Sequence, residues 1–441
     1  MLECHNVIHK LRQVAFCRWG YNCRWFSKEI LLDANPVAKQ STPAGVRGAA
    51  TRYSAITFLN AASLGAILPQ IFFVNDLGHP LQTGLLLALF PAGRLVGKYV
   101  FHQPRTEDSD RWPMLLQSIG LTLAYGLIVV STKLHPTGIE ALRLTQLAWF
   151  LIGFFGANLL FPRRCADESL VPLDISILGI PIGSLLCSAL IWGIVRSYLR
   201  YDITDLFRPA MAAAGCSGLA VILLLVTRRN ERIPPDPQQR QTPTFLRAIL
   251  FSGGSEPREA IVVSAGATLA VAVACTLTPM MLWETFAFSP GQVALMIASG
   301  GLLAVSVQFI IRRLVGESWS TGSLAGFTAI GLFLLGASSA TLMWAPGTGS
   351  WIPLFAGFVA LPIGWGCLQP ALSRIIASSR KECSREAALA ANDLACTLAW
   401  IVGPILSAGI FYAHERTSFG ISGLAIALIA IPFANLWRKH T

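Results

Sequence analysis

Arg94, Lys98 and Asp393 are charged residues set in apolar surroundings. Arg94 and Lys98 follow Leu85-Leu86-Leu87-Ala88-Leu89-Phe90, and Asp393 stands between Leu389-Ala390-Ala391 and Leu394-Ala395-Cys396. A charge at the centre of an apolar helix in lipid costs about 2.5–3.5 kcal/mol. Such a side chain therefore pairs, titrates or reaches back to water along its own stem. A carboxylate opposite a guanidinium or an ammonium makes an ion pair that protonation undoes. A static ion pair, or an Arg94 that extends to the headgroups, is the structural alternative. Other ionisable groups sit at the ends of apolar runs. Asp174 is a second gating candidate, or a cap for the helix it opens. Arg143 reads as an interfacial anchor and Glu284 as a solvated residue. No HExxH, P-loop or GxSxG pattern occurs. Cys17 and Cys23 are too far apart for a CxxC pair, and Cys187, Cys216, Cys275, Cys367 and Cys396 lie in apolar runs. There cysteine acts as a small apolar side chain. Neither an enzyme, a metal site nor a cofactor is expected.

The elements that hold these charges follow from composition. The chain has 441 residues, 54% of them hydrophobic and 13% charged. Its mean hydropathy is +0.57. Too few polar residues remain to cover a soluble protein of this size, which excludes an ordinary cytosolic enzyme, a disordered chain and a secreted disulfide scaffold. Apolar runs of helix-spanning length recur at about 53–75, 82–103, 113–132, 139–161, 171–194, 206–227, 260–283, 290–311, 319–344, 350–374, 386–411 and 417–437. The predicted fold is all-α and polytopic, with twelve transmembrane helices. Residues 1–51 form a basic tail in which Arg18, Trp19, Arg24 and Trp25 could lie on a membrane surface. A disordered tail is the plainer reading. Residues 52–227 and 260–441 carry six helices each, and 228–259 is a basic, proline-rich linker.

The net charge of +11 does not point to nucleic acid, because the basic residues lie between apolar runs. Of the 34 Lys and Arg, only Lys133, Arg196, Arg200, Arg208 and Arg416 fall on the side opposite the termini; Arg94 and Arg143 fall within helices. That bias places both termini in the cytoplasm. The two halves also echo each other. Pro69 and Pro279, Pro80 and Pro290, and Gln82 and Gln292 are each 210 residues apart. The constant offset predicts two six-helix bundles related by an axis along the membrane normal, an architecture of transporters.

Over about residues 52–437 the chain resembles the major facilitator superfamily. The resemblance rests on Gly65-Ala66-Ile67-Leu68-Pro69-Gln70 with Asp76-Leu77-Gly78, on Gln82-Thr83-Gly84-Leu85-Leu86-Leu87, on Gly179-Ile180-Pro181-Ile182-Gly183-Ser184 in helix five and on Gly403-Pro404-Ile405-Leu406 in helix eleven. Two hallmarks differ. Gly97 opens the loop motif after helix two, but Phe101 and His102 stand where Asp and Arg are expected. Trp149 occupies the place of the drug-antiporter arginine of helix four.

The resemblance implies alternating access. Helices two and eleven would face each other across the halves, bringing Arg94 or Lys98 to Asp393 as a cytoplasmic gate or proton-coupling pair, with Asp174 in support. Helices one, four, seven and ten would line a central cavity. Its candidate residues are Asn60, Gln70, Gln146, Trp149, Gln308, Trp365, Gln369 and Asn392, with interhelical hydrogen bonding as their structural alternative. Gly93, Gly97, Gly179, Gly183 and Gly403 would let helices approach closely, and Pro181 and Pro404 would bend theirs. The expected function is secondary transport of a small organic solute. The glycine–proline phrase of helix five leans toward proton-coupled export of a drug, siderophore or metabolite. Uptake by symport or facilitated diffusion is the first alternative, and a non-transporting receptor of the same fold the second. The expected partners are the solute, protons and the bilayer. The expected setting is a monomer in a bacterial inner membrane.

Overall fold

Lipid offers no partner to a peptide group, so a chain that crosses it repeatedly must satisfy its backbone within helices. The computed structural model describes residues 44–71, 80–101, 111–133, 139–157, 178–195, 207–226, 255–315, 321–377, 382–413 and 415–440. These residues form twelve helices: α1 (Ala44–Ile71), α2 (Pro80–Val100), α3 (Arg111–Lys133), α4 (Ile139–Phe155), α5 (Gly179–Val195), α6 (Phe207–Val226), α7 (Ser255–Glu284), α8 (Pro290–Val315), α9 (Thr321–Thr348), α10 (Trp351–Ala377), α11 (Glu382–Ala413) and α12 (Glu415–His440). Eight of them, α3 and α6 to α12, are long and apolar enough to cross a membrane. Shorter apolar stretches run through α1 (Ser54–Pro69) and α5 (Gly179–Leu190). Helix α7 starts at Ser255, inside the stretch read as linker, so Arg258 and Glu259 belong to its first turns.

The offset of 210 residues reappears at the helix starts. Pro80 opens α2 and Pro290 opens α8, a position where proline loses no helical hydrogen bond. Ser289 and Gln292 cap α8 reciprocally: the Ser289 amide donates to Gln292 Oε1 at 2.8 Å and the Gln292 amide to Ser289 Oγ at 3.4 Å. Pro69 and Pro279 lie inside α1 and α7, again in register.

The cores divide along the same line. One large apolar cluster, around Leu86, Leu121, Trp149 and Ile152, draws only on α1 to α6. Two others, around Leu335, Leu368 and Ile376 and around Leu277, Met281 and Phe419, draw only on α7 to α12. Neighbouring helices repeat as well: α2 with α4 and α8 with α10, α3 with α6 and α9 with α12. Between the halves α2 packs on α11 and α5 on α8, contacts that swapping the halves interchanges. The protein is thus an all-α membrane protein of two six-helix bundles.

Glycine sets the tightest seams. A methyl group on Gly93 or Gly97 of α2 would run into the carbonyls of Phe150 and Phe154 of α4, and one on Gly153 into that of Phe90. On α5, Gly179 and Gly183 meet the α1 backbone at Phe58 and Ala62 in the same way. These helices touch backbone to backbone, which only glycine allows.

Candidate functional site

The glycines of α2 also aim its charges. Gly93 and Gly97 turn one face to α4, and the next residue along lies about 100° around the helix. Arg94 and Lys98 are therefore presented together, one turn apart, to α11. There they meet Asp393. Arg94 Nη2 lies 3.3 Å from Asp393 Oδ1, and Lys98 Nζ pairs with Asp393 Oδ2. Two cations of one bundle hold one carboxylate of the other, toward the end of α2 nearest the termini. The Arg94 and Lys98 side chains are mostly covered, whereas Asp393 keeps 36% of its side chain accessible.

A second polar group backs the acid. Cys396, one turn beyond Asp393, accepts a hydrogen bond from Thr268 Oγ1 at 3.3 Å and lies 3.4 Å from Ser264 Oγ, both on α7. Its own thiol points at Asn392 Oδ1, 3.7 Å away. Thr397 Oγ1 donates to the Asp393 carbonyl at 2.6 Å. Neutral side chains thus link α7 to Cys396, and through its thiol to Asn392, the residue before the acid. Sequence reasoning missed Ser264, Thr268 and Cys396. The available signal was their spacing, 264/268 and 392/396, which puts each pair on one helical face.

The candidates for a solute cavity separate on burial. Gln146, Gln308, Trp365, Gln369 and Asn392 are half-buried. Gln369 accepts from Ser373 at 3.4 Å, and Trp365 packs beside the core of the second bundle. Asn60 and Trp149 are fully buried in this conformation. Asn60 has no accessible surface and accepts a hydrogen bond from Ser217 of α6 at 3.2 Å. Trp149 is 1% exposed, inside the first bundle's core, with its ring 5.3 Å from Phe90. A side chain with no open surface lines no open cavity, so both act in packing in this conformation. Gln70 lies in α1, but its side chain falls outside the described residues, as do Asp174 and the tail before residue 44. Glu284 ends α7 and is exposed, as is Arg143 on α4. Among the described residues no three of His, Cys, Asp and Glu come together to hold a metal ion.

The far side of the interface is closed by small residues. Gly84 of α2 meets the Pro404 carbonyl and Ala408 of α11 so closely that a methyl would not fit. Ser188 of α5 donates to the Gly291 carbonyl of α8 at 2.9 Å, and Cys187 packs on Ala294. Pro181 of α5 lies against Gly301 of α8. Gly403 turns instead toward Ala272 of α7. Pro181 and Pro404 thus both sit where the bundles touch; Pro404 lies inside α11, whereas Pro181, expected to bend α5, falls in its first turn.

Phe101 takes a different part from the acid expected at its position. It joins an aromatic group at the end of α4, with ring centroids 5.2 Å from Phe154 and 6.2 Å from Phe155.

Residues 53–404 match the family model described as Major Facilitator Superfamily. No curated protein sequence matches the chain. Solved structures share its fold at low identity. A POT family transporter in complex with 5-aminolevulinic acid is 16% identical, with 90% of this chain and 97% of that one covered and a TM-score of 0.65. A mutant of the nucleoside transporter NupG is 12% identical, with 88% and 99% covered and a TM-score of 0.64. The human organic anion transporter MFSD10 is 15% identical, with 90% and 100% covered and a TM-score of 0.58.

Proposed function

Since the chain belongs to the Major Facilitator Superfamily, we propose that it moves a small polar organic solute by alternating access, with Arg94, Lys98 and Asp393 as the gate nearest the termini. The observation that carries this reading is the shared carboxylate. An ion pair between two bundles with separate cores must break whenever that side opens, and breaking it leaves charges in a poorly solvated interface. Protonation of Asp393 removes one of those charges. A carboxylate that keeps part of its side chain uncovered is thus suited to couple opening to a proton.

Uptake by proton symport, or facilitated passage, fits better than drug export. The export lean came from Gly179-Ile180-Pro181-Ile182-Gly183, and in the structure those glycines seat α5 on α1. Trp149, at the place of the antiporter arginine, is a core residue. Among the structures of like fold are ones named for a peptide, a nucleoside and an organic anion. We place the protein in a bacterial inner membrane with both termini cytoplasmic, on the Lys and Arg bias of the loops.

The test is flux in proteoliposomes offered dipeptides, nucleosides, 5-aminolevulinic acid and small carboxylates, with and without an inward proton gradient. Uptake of at least one class, raised by the gradient, is expected. Asp393→Asn should lose the gradient response, by about tenfold or more, equivalent to ~1.4 kcal/mol, while exchange persists. Flux that ignores both the gradient and Asp393→Asn would leave a facilitator with a static ion pair. No flux of any solute from correctly inserted protein would count against transport and favour the receptor reading.

A further inference from the structure

Asn60 is a polar residue that the transport reading leaves over. It sits on α1 with no accessible surface, and Ser217 of α6 donates to its Oδ1 at 3.2 Å. Ser217 Oγ also lies 2.9 Å from Thr122 Oγ1 of α3, which in turn donates to the Ser118 carbonyl at 2.9 Å. Three helices therefore meet in one layer of neutral polar side chains. Apolar layers close it on both sides. Ile56, Met114, Leu115, Ala220 and Leu224 lie toward the termini. Leu64, Ala210 and Ala213 lie beyond it.

Inside this layer the hydrogen bonds do not balance. Asn60 Nδ2 and Ser118 Oγ are buried and have no partner among the described residues. Tyr125 Oη is a third such group. Ser118, Thr122 and Tyr125 share one face of α3 by helical spacing. A buried polar group left unpaired costs about 1–3 kcal/mol. Turning the Asn60 amide over would exchange one orphan atom for another and leave the count unchanged.

We propose that this layer is an internal water site of the first bundle, in which ordered water bridges Asn60 of α1 to Ser118 and Tyr125 of α3. The ligand must both donate and accept, because the groups around it are an amide N–H and two hydroxyls. Water does so with two to four partners at a time. A monovalent cation suits the site less. The layer holds no carboxylate to balance its charge. The site lies within one bundle, away from α2 and α11, and stands whatever solute the protein carries.

Two conservative deletions test it by their sign. In a dry layer, Ser118→Ala or Tyr125→Phe removes an unpaired buried hydroxyl and raises the unfolding midpoint. In a hydrated layer each removes a partner of the bound water and lowers it. We expect both variants of the purified full chain to lose about 2 °C or more, alike in sodium, potassium and choline chloride. A high-resolution map of the wild type should show a peak within hydrogen-bonding distance of Asn60 Nδ2. A midpoint unchanged or raised in either variant overturns the proposal. So does a wild-type midpoint that climbs with sodium or potassium but not with choline, which would identify a bound cation.

Discussion

Asp393 faces two cations, and the three residues should not be interchangeable. Lys98 pairs through one oxygen and Arg94 through the other, so the carboxylate keeps one partner when either cation is removed. Lys98→Met or Arg94→Met should each weaken the gate, whereas Asp393→Lys puts three cations together and should abolish transport. The exchanged pair Lys98→Asp with Asp393→Lys restores one attraction across the interface. It is predicted to recover at least about tenfold more flux than Asp393→Lys alone, a coupling of ~1.4 kcal/mol. Equal activity in the single and double variants would show that the charges do not act as a pair. Trp149 gives a second prediction at this scale. Trp149→Arg would install the antiporter arginine, but the site is a sealed core beside Phe90. An unpaired charge there is costly, so the variant should fail to accumulate as folded protein rather than gain an export activity. Monodisperse Trp149→Arg with a wild-type unfolding midpoint would contradict this.

At the scale of helices, the seams differ in what they tolerate. Gly97→Ala drives a methyl into the Phe154 carbonyl of α4, and neither backbone can yield without moving a helix. That substitution should lower the unfolding midpoint sharply and disturb Lys98 beside it. Gly126→Ala on α3 is the control. A methyl there meets nothing within 4 Å, and alanine favours a helix over glycine by roughly 1 kcal/mol. Its midpoint should hold or rise. If both variants behave alike, α2 and α4 are not held by backbone contact. The helices themselves were legible in the sequence, because lipid demands long apolar runs, and Pro80 and Pro290 marked two starts. Charges in those runs were legible for the same reason, since a residue that costs energy needs a partner. Ser264, Thr268 and Cys396 were not. Small neutral groups carry no such penalty, and their meeting depends on how α7 packs on α11. For Asn60 the sequence left a cavity role and an interhelical bond both open, because α1 is apolar nearly all round, and in this conformation it bonds Ser217. The sequence of α1 does not say which face turns inward.

At the scale of the whole molecule, separate cores imply separate bodies. Each bundle buries its own side chains, and among the described residues the apolar clusters cross from one to the other only where Cys187 meets Ala294. Hydrophobic cohesion is thus strong within the bundles and weak between them, the distribution that favours a hinge at the interface over distortion of either half. Two contacts oppose each other across that hinge. The Asp393 cluster joins α2 to α11 near the termini, and Ser188, Cys187, Gly291 and Ala294 join α5 to α8 on the far side. If the bundles rock, the far contact must open while the near one stays shut. Tying the far contact should then arrest the cycle without unfolding anything. Ala294→Cys opposite the native Cys187, with the remaining cysteines replaced by serine, provides the tie through a short bifunctional thiol reagent of reducible type. Linked protein is expected to bind solute but to lose net flux, and reduction should restore the rate of the unlinked variant. Full flux from protein shown to be linked would mean that α5 and α8 stay together throughout the cycle. The two bundles would then not move as bodies about this interface.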